Sequence, residues 1–440
     1  MSTPEDAGVK TTHPASADSS GTAATDQPHP PGLLRHRDFL HLWAAQTLSM
    51  LGSQITALAI PLLAVVTLQA TAFDMGVLAM AASLPTPVFG LVAGVWTDRL
   101  RRRPILVGAD LGRAVLLGTV PFAVFLDLLT IPYLCAVVVL VAFFTVWFDV
   151  AHALLLPSLI HPEQLVEGNS KLEISRSGAL IAGPGLAGLL IQAISAPVAI
   201  LVDAFSYLVS AVLLVRIRTV ELPPERAGLK SPVWEEAREG WRAVRQDPRL
   251  ASMALSLSVF NLFSSMLNAL FILFAVRELG IDAAALGLIF AAGSAGFPVG
   301  AAAAGWVARR IGVGWAIIYG AVISDLALLL IPLAGIMQDA AVPLLIGSRL
   351  IATLTGPVTA INQLSLRQSL TPHRLLGRVN ATMLVLALGL TPLGGLLAGG
   401  LGQIIGIQAT VTVAAIGVQA GFVVLLASPL RTLARVPPTP

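Results

Sequence analysis

Residues 76–99 read GVLAMAASLPTPVFGLVAGVWTDR, and residues 287–310, displaced by 211 positions, read GLIFAAGSAGFPVGAAAAGWVARR. Each begins at a glycine, runs almost uncharged for some twenty residues and ends on arginine. A helix rises 1.5 Å per residue, so about 20 residues cover a hydrocarbon core of about 30 Å. In this register Gly76, Ala81, Ser83, Pro87, Val88, Ala93 and Gly94 coincide with Gly287, Ala292, Ser294, Pro298, Val299, Ala304 and Gly305. The same shift pairs Gly183, Leu186, Ala187, Gly188, Leu190, Gln192 and Ile194 with Gly394, Leu397, Ala398, Gly399, Leu401, Gln403 and Ile405. It also pairs Pro121 with Pro332, Pro132 with Pro343 and Asn169 with Asn380. Apolar composition alone would scatter alanine and leucine matches without holding proline, glutamine and asparagine in one register. The chain is therefore read as two copies of one unit in the same orientation, related by an axis along the membrane normal.

Composition agrees with lipid as the main solvent. Of 440 residues, 56% are apolar and 12% charged, about half the charged share of a soluble domain. A formal net charge of +3 is too small to argue for nucleic acid. The single cysteine, Cys135, excludes an intrachain disulfide and sits in an apolar run, where a buried, inert thiol is expected. Residues 1–38 are rich in Ser, Thr, Ala, Pro and His and are expected to be a disordered cytoplasmic tail. They are not read as a secretory signal, because the first apolar run starts only near Phe39 and is too long. From there long apolar runs alternate with short polar breaks, giving spans at 39–67, 73–96, 104–126, 131–156, 168–192 and 196–215. Six more follow at 251–276, 283–308, 314–334, 341–366, 376–402 and 405–427. The expected fold is an all-α membrane protein of about twelve transmembrane helices in two pseudo-symmetric six-helix bundles. Residues 39–216 form the N-terminal bundle, 217–250 a cytoplasmic linker, 251–428 the C-terminal bundle and 429–440 a short cytoplasmic tail. In the linker, Val233, Trp234, Ala237, Trp241 and Val244 share one helical face opposite Glu235, Glu236, Arg238, Arg242 and Arg245. Such a helix lies either in the cytoplasmic leaflet or against the protein's own underside.

The basic residues test this layout independently. Of 27 Lys and Arg, all but Arg113, Arg176, Arg277 and Arg349 lie in the tails, in loops after even-numbered spans or in the first turn beyond them. Basic loops stay in the cytoplasm, so both termini are expected there. A miscounted helix would scramble the asymmetry.

Between the second and third spans stands Gly94-Val-Trp-Thr-Asp98-Arg99-Leu-Arg101-Arg102-Arg103-Pro104. Gly94 permits close helix approach, Asp98 can accept hydrogen bonds from a helix N-terminus, and the arginines hold the loop at anionic headgroups. This resembles the loop signature of the major facilitator superfamily, with Arg101 in place of its second glycine. The resemblance implies a gate at Gly94, Asp98, Arg99, Arg102 and Arg103; the other reading has the arginines set topology only. The matching loop of the second half keeps Gly305 and Arg310 but has Arg309 where Asp98 stands, so an asymmetric gate is expected. In the fifth span Gly178, Gly183, Pro184, Gly185 and Gly188 are similar to the glycine-proline signature of facilitators that export by antiport, although Leu189 interrupts its closing glycines. Generic small-residue packing would explain the same run. Phe148-Asp149-Val-Ala151, Leu156-Pro157, Pro162-Glu-Gln-Leu165, Asn169, Asp203-Ala-Phe-Ser206, Glu239-Gly240, Asp247-Pro248 and Leu376-Gly377-Arg378-Val-Asn380 resemble a bacterial branch that includes enterobactin exporters and macrolide efflux proteins.

Ionisable groups inside spans are costly and usually functional. Asp110 and Arg113 are three apart on one helix face and can pair, as can Glu173 and Arg176. With Asp98 and Asp149 they are expected in the cytoplasmic third of spans two to five. Four carboxylates against two guanidinium groups leave negative charge over, which a proton-coupling site needs. Asp110, Arg113, Asp149, Glu173 and Arg176 are thus proton-relay candidates; a static latch without proton traffic is the alternative. Gln46, Gln54, Asp203, Asn261, Asn268, Asp325, Arg349 and Asn362 are candidate cavity residues, with interhelical bonding as the competing role. Lone His152 is expected to be a packing residue.

These readings point to a secondary active exporter of small amphipathic molecules (a drug, siderophore or other metabolite) by proton antiport with alternating access. Its expected place, implied by the resemblance, is the bacterial cytoplasmic membrane, as a monomer. Its partners would be the bilayer, a small-molecule substrate and protons, with no cofactor and no metal. A cation-coupled importer shares the fold. A membrane-embedded enzyme would need a polar constellation at a leaflet surface, and an inactive sensor has no supporting feature. No Gly-x4-Gly-Lys-Ser/Thr stretch is present to power an ATP-driven pump.

Overall fold

In lipid an apolar segment has no solvent partner for its amides and carbonyls, so each run closes its hydrogen bonds internally as a helix. The computed structural model describes residues 33–97, 100–218 and 233–433 and contains no strand among them. Twelve segments of those residues are long and apolar enough to cross a membrane. In the first half they are Arg37–Val66, Ala72–Gly90, Arg102–Phe125, Ile131–Leu159, Pro162–Ile194 and Ala196–Val215. In the second they are Pro248–Arg277, Ala283–Ile311, Val313–Ile336, Gln338–Leu370, Leu376–Ile405 and Ile407–Ala427. The fifth and tenth reach 33 residues each, longer than their apolar cores, because the short turns at Pro162–Gln164 and Gln338–Ala340 run on into them.

The sequence repeat reappears in the backbone. The second span breaks at Leu84, between helices Ala72–Ser83 and Pro85–Thr97; 211 residues on, the eighth breaks at Ala295, between Ala283–Ser294 and Gly296–Ile311. Thr71 caps the second span and Asp282 the eighth, each from an extended backbone and each with its side chain accepting an amide of the first turn. Single residues at positive φ turn the chain between the fifth and sixth spans (Ser195, φ 78) and between the eleventh and twelfth (Gly406, φ 87). These three pairs of positions share the register that pairs Gly76 with Gly287.

Within the first half the first span packs on the fifth and sixth, and the third on the fourth and sixth. In the second half the twelfth packs on the seventh, and the tenth on the eighth and ninth. The Arg218 amide donates to Asp38 at 3.0 Å, and Pro248 and Leu250 lie beside Pro429, Thr432 and Leu433, so each half begins and ends on one face, here termed the terminal end.

The connecting helix Val233–Gln246 packs on the protein, but not through the expected apolar face: it uses Gly240, Ala243 and Val244, while Ala237 and Trp241 stay exposed. It lies against the start of the eleventh span, where Glu239 and Arg378 form an ion pair and Val244 is buried. Gly240 presses on the Arg378 backbone, leaving no room for a side chain. Arg238, Arg242 and Arg245 stay exposed. At its end Asp247 caps the seventh span. Burial alone would raise the Asp247 carboxyl, but hydrogen bonds from the Arg249 side chain and backbone hold it below the ordinary range.

Candidate transport cavity and its charged network

Two crossings join the halves at the end away from the termini. The Ala72–Ser83 helix meets Thr391–Ile404 of the eleventh span, and the fifth span meets Ala283–Ser294 of the eighth. Each is made by glycines. A Cβ on Gly76 would lie 2.6 Å from the Gly399 Cα, and one on Gly188 would lie 2.8 Å from the Gly287 Cα. Because Gly76 pairs with Gly287, and Gly188 with Gly399, under the 211-residue shift, the two seams are one contact made twice. Of the glycine-proline run, Gly183 packs on Gln54, Gly185 on Ala291 and Gly188 on Gly287, while Gly178 faces open space. At the terminal end the halves meet where the Pro85–Thr97 helix reaches Leu376–Gly389.

Between these regions lies a cavity of about 660 Å³. Spans one, two, four and six line it from the first half, and spans seven and eleven from the second. The wall is mostly aliphatic: Ile60, Met75, Leu78, Val141, Ile272, Leu384 and Leu388 are typical. Its polar groups are Ser53, Thr56, Thr86, Thr145, Tyr207, Asn268 and Asp149, and Asp149 is the one charged side chain among the lining residues. Asp149 is exposed to this space, and no hydrogen bond or ion pair to it is present among the described residues.

Behind the wall lies a buried network. Asp110 pairs with Arg113 on the third span and accepts a hydrogen bond from Ser210 on the sixth at 2.5 Å. The Arg113 guanidinium lies over the rings of Phe148 and Tyr207, 4.4 Å and 4.2 Å from their centroids. The Tyr207 hydroxyl hydrogen-bonds Ser53 at 2.8 Å on the cavity wall. Asp203, also buried, accepts from Thr56 and Ser206. Four helices are thus held by charge and hydrogen bonds where the surroundings are apolar. Desolvating an ion pair is expensive, and the extra hydrogen bond and two ring faces are what offset it.

The expected single cluster is divided. Asp110 and Arg113 are enclosed, Asp149 faces the cavity, and Glu173 and Arg176 form a two-bond pair at 2.9 and 2.7 Å with side chains about half exposed, 55% and 45%. Their face of the fifth span turns away from the buried network. Asp98 and Arg99 lie outside the described residues. Of the other loop residues, Gly94 ends near the close of the Pro85–Thr97 helix, Arg102 donates to the Leu154 carbonyl at 3.1 Å, and Arg103 donates to the carbonyls of Leu214 and Val215. These two arginines therefore tie the third span to backbone carbonyls of its neighbours, Leu154 of the fourth span and Leu214 and Val215 of the sixth.

Of the eight candidate cavity residues, Asn268 alone lies on the wall of this cavity. Gln46 is buried, Gln54 packs on Gly183, and Asn261 and Asn362 bond to backbone carbonyls. Asp203 belongs to the network, Asp325 is buried against the twelfth span near Gly421, and Arg349 donates to Asn268. Asp203, Asn362 and the Arg349–Asn268 pair thus bond between helices, whereas Asn261 bonds Leu257 of its own helix. His152 stacks on Phe148, as a packing residue does. The wall and network also use Ser53, Thr56, Tyr207 and Ser210, which were not singled out from the sequence. Asp203, Tyr207 and Ser210 recur at helical spacing in a run otherwise apolar, a signal that was there to read.

Twelve spans in two pseudo-symmetric halves around a shared cavity are the architecture of a multi-pass transporter of the major facilitator type. Residues 29–437 match the family described as transmembrane secretion effectors, and the chain belongs to that family. Among curated relatives, the multidrug efflux pump Tap of Mycolicibacterium fortuitum is 29% identical over 384 residues, 84% of this chain and 90% of that protein. Macrolide efflux protein A of Streptococcus pyogenes is 25% identical over 53% of this chain and 57% of that protein. Among solved structures, a bacterial homologue of the iron transporter ferroportin in its inward-facing state superposes with a TM-score of 0.72 at 19% identity, covering 89% of this chain and 98% of that one. The nucleoside transporter NupG gives 0.71 at 12% identity, over 89% and 98%. At these identities the two structures speak for the fold.

Proposed function

We propose that the protein exports amphipathic, drug-like molecules from the cytoplasm by alternating access, in exchange for protons. The observation that carries this reading is a single carboxylate, Asp149, on an otherwise uncharged and mostly aliphatic cavity wall shared by the two halves. An aliphatic chamber of about 660 Å³ suits the apolar body of a small molecule. The relatives named as efflux pumps support the direction, and the Gly183–Gly188 run at the crossing of spans five and eight is the part of the chain that resembles antiporters. The terminal end, with its excess of arginine, is the cytoplasmic side in this reading. The shape described here then has its far side sealed at the glycine crossings.

Asp149 is positioned to take a proton or a cationic group, one at a time, and so to link substrate release to proton entry. The Asp110–Arg113 pair is the fixed part: it holds Phe148 and Tyr207 and thereby the helix that carries Asp149. Ligand and proton act by favouring one of two arrangements of the halves. In everted vesicles loaded through an imposed pH gradient, the wild type should transport a lipophilic dye against its concentration gradient. Asp149→Asn should insert normally and lose at least tenfold of the gradient-driven rate, while passive exchange continues. Gradient-driven transport at the wild-type rate in Asp149→Asn would remove the coupling role, and dye moving only in the import direction would favour the importer.

A further inference from the structure

Three arginines lie well inside spans; Arg176 is half exposed and paired with Glu173, and the other two, seated on aromatic rings, are accommodated differently. Arg113 in the first half sits over two aromatic rings and is neutralised by Asp110. Arg349, on the tenth span, also sits over two rings, Phe271 at 4.4 Å and Phe290 at 5.0 Å from their centroids. Its stem is packed over Gly293, with no space for a side chain there. No carboxylate among the described residues pairs with it. Its one hydrogen bond runs from Nη2 to Oδ1 of Asn268 at 3.3 Å, and its Nε is buried and donates to nothing. Arg349 lies eight residues after Ala341, roughly 12 Å in from the helix end by the rise of 1.5 Å per residue. A cation at that depth is costly and normally finds a partner. The aromatic seat recurs; the anion is missing.

Asn268 shows where the anion would enter. It is exposed and lies on the cavity wall, so the guanidinium edge that reaches it stands at the margin of the cavity. Asn268 also supplies an amide that can donate beside the guanidinium. We propose that Arg349, with Asn268, is the binding point for an anionic group (carboxylate, sulfonate or phosphate) of the transported molecule, so that the substrates include amphipathic acids. Planar, forked N–H donors suit such groups, and the rings of Phe271 and Phe290 hold the fork in place. The proposal deepens the export reading and rests on the cavity being the substrate site.

The test uses two fluorescent probes with the same aromatic body: 1-anilinonaphthalene-8-sulfonate, an anion, and N-phenyl-1-naphthylamine, its neutral counterpart. Binding is measured to the full chain in nanodiscs of phosphatidylcholine, which bring no net lipid charge, with empty nanodiscs subtracted. The wild type is expected to bind both. Arg349→Gln should weaken the sulfonate at least tenfold and the neutral probe less than twofold, and Arg349→Lys, which keeps the charge but not the fork, should recover only part of the sulfonate affinity. Unchanged sulfonate binding in Arg349→Gln, equal losses for both probes, or a wild type that binds only the neutral probe would overturn the anion site and leave the cavity intact. A wild type that binds neither probe would overturn the cavity reading, and the anion site with it.

Discussion

Arg113 and Asp149 sit within one helix contact of each other, yet substitution should affect them in opposite ways. Arg113 is enclosed with Asp110 and two rings. Removing it leaves a carboxylate buried without its cation, and breaking such a pair costs about 3–5 kcal/mol. Arg113→Ala should therefore lower the thermal midpoint of the detergent-solubilised protein markedly, whereas Asp149→Asn, on an open wall, should leave it nearly unchanged. The same unfolding curves check both statements; a stable Arg113→Ala variant would mean that Asp110 is satisfied by Ser210 alone. At this scale the sequence was only partly legible. The pairs at three-residue spacing could be read because a helix fixes which neighbours face each other. Arg349 and Asn268 could not be joined, because the rotation of one helix against another is not written in the spacing along either.

The turns between paired spans carry their own prediction. Ser195 and Gly406 occupy equivalent positions with nearly equal torsions, φ 78 and ψ 158 against φ 87 and ψ 163. That region of backbone space is almost confined to glycine and costs other residues about 1–3 kcal/mol. Ser195→Gly is expected to stabilise the protein by about 1 kcal/mol after glycine's extra unfolded-state entropy is counted. Gly406→Ala should destabilise it by about 1–3 kcal/mol. A thermal shift with the reverse sign at Ser195 would show that the turn is not strained there. The elements themselves were readable to within a few residues because the length that spans a bilayer and the polar breaks are both set by lipid. What the apolar runs concealed were the breaks at Leu84 and Ala295, which fall where uninterrupted hydropathy gives no mark, although Pro85 and Gly296 stand directly after them.

For the whole molecule, the repeat seen in the sequence acquires a physical purpose at the crossings. Gly76 with Gly399, and Gly188 with Gly287, let backbones touch without interlocked side chains. In the proposed pivoting of the halves around the cavity, opening the far side parts these two seams together with the contacts of the first and second spans on the seventh. The Gln192 side chain, next to one seam, accepts from the Ala284 amide across the two halves at 3.1 Å. Cysteines placed at Gln192 and Ala284 in a chain with Cys135→Ser should be bridged by a short thiol-reactive linker. Transport should then stop, and a reductant that cleaves the linker should restore it. Bridged protein that moves dye at the unbridged rate would contradict a mechanism in which the halves separate at the glycine seams.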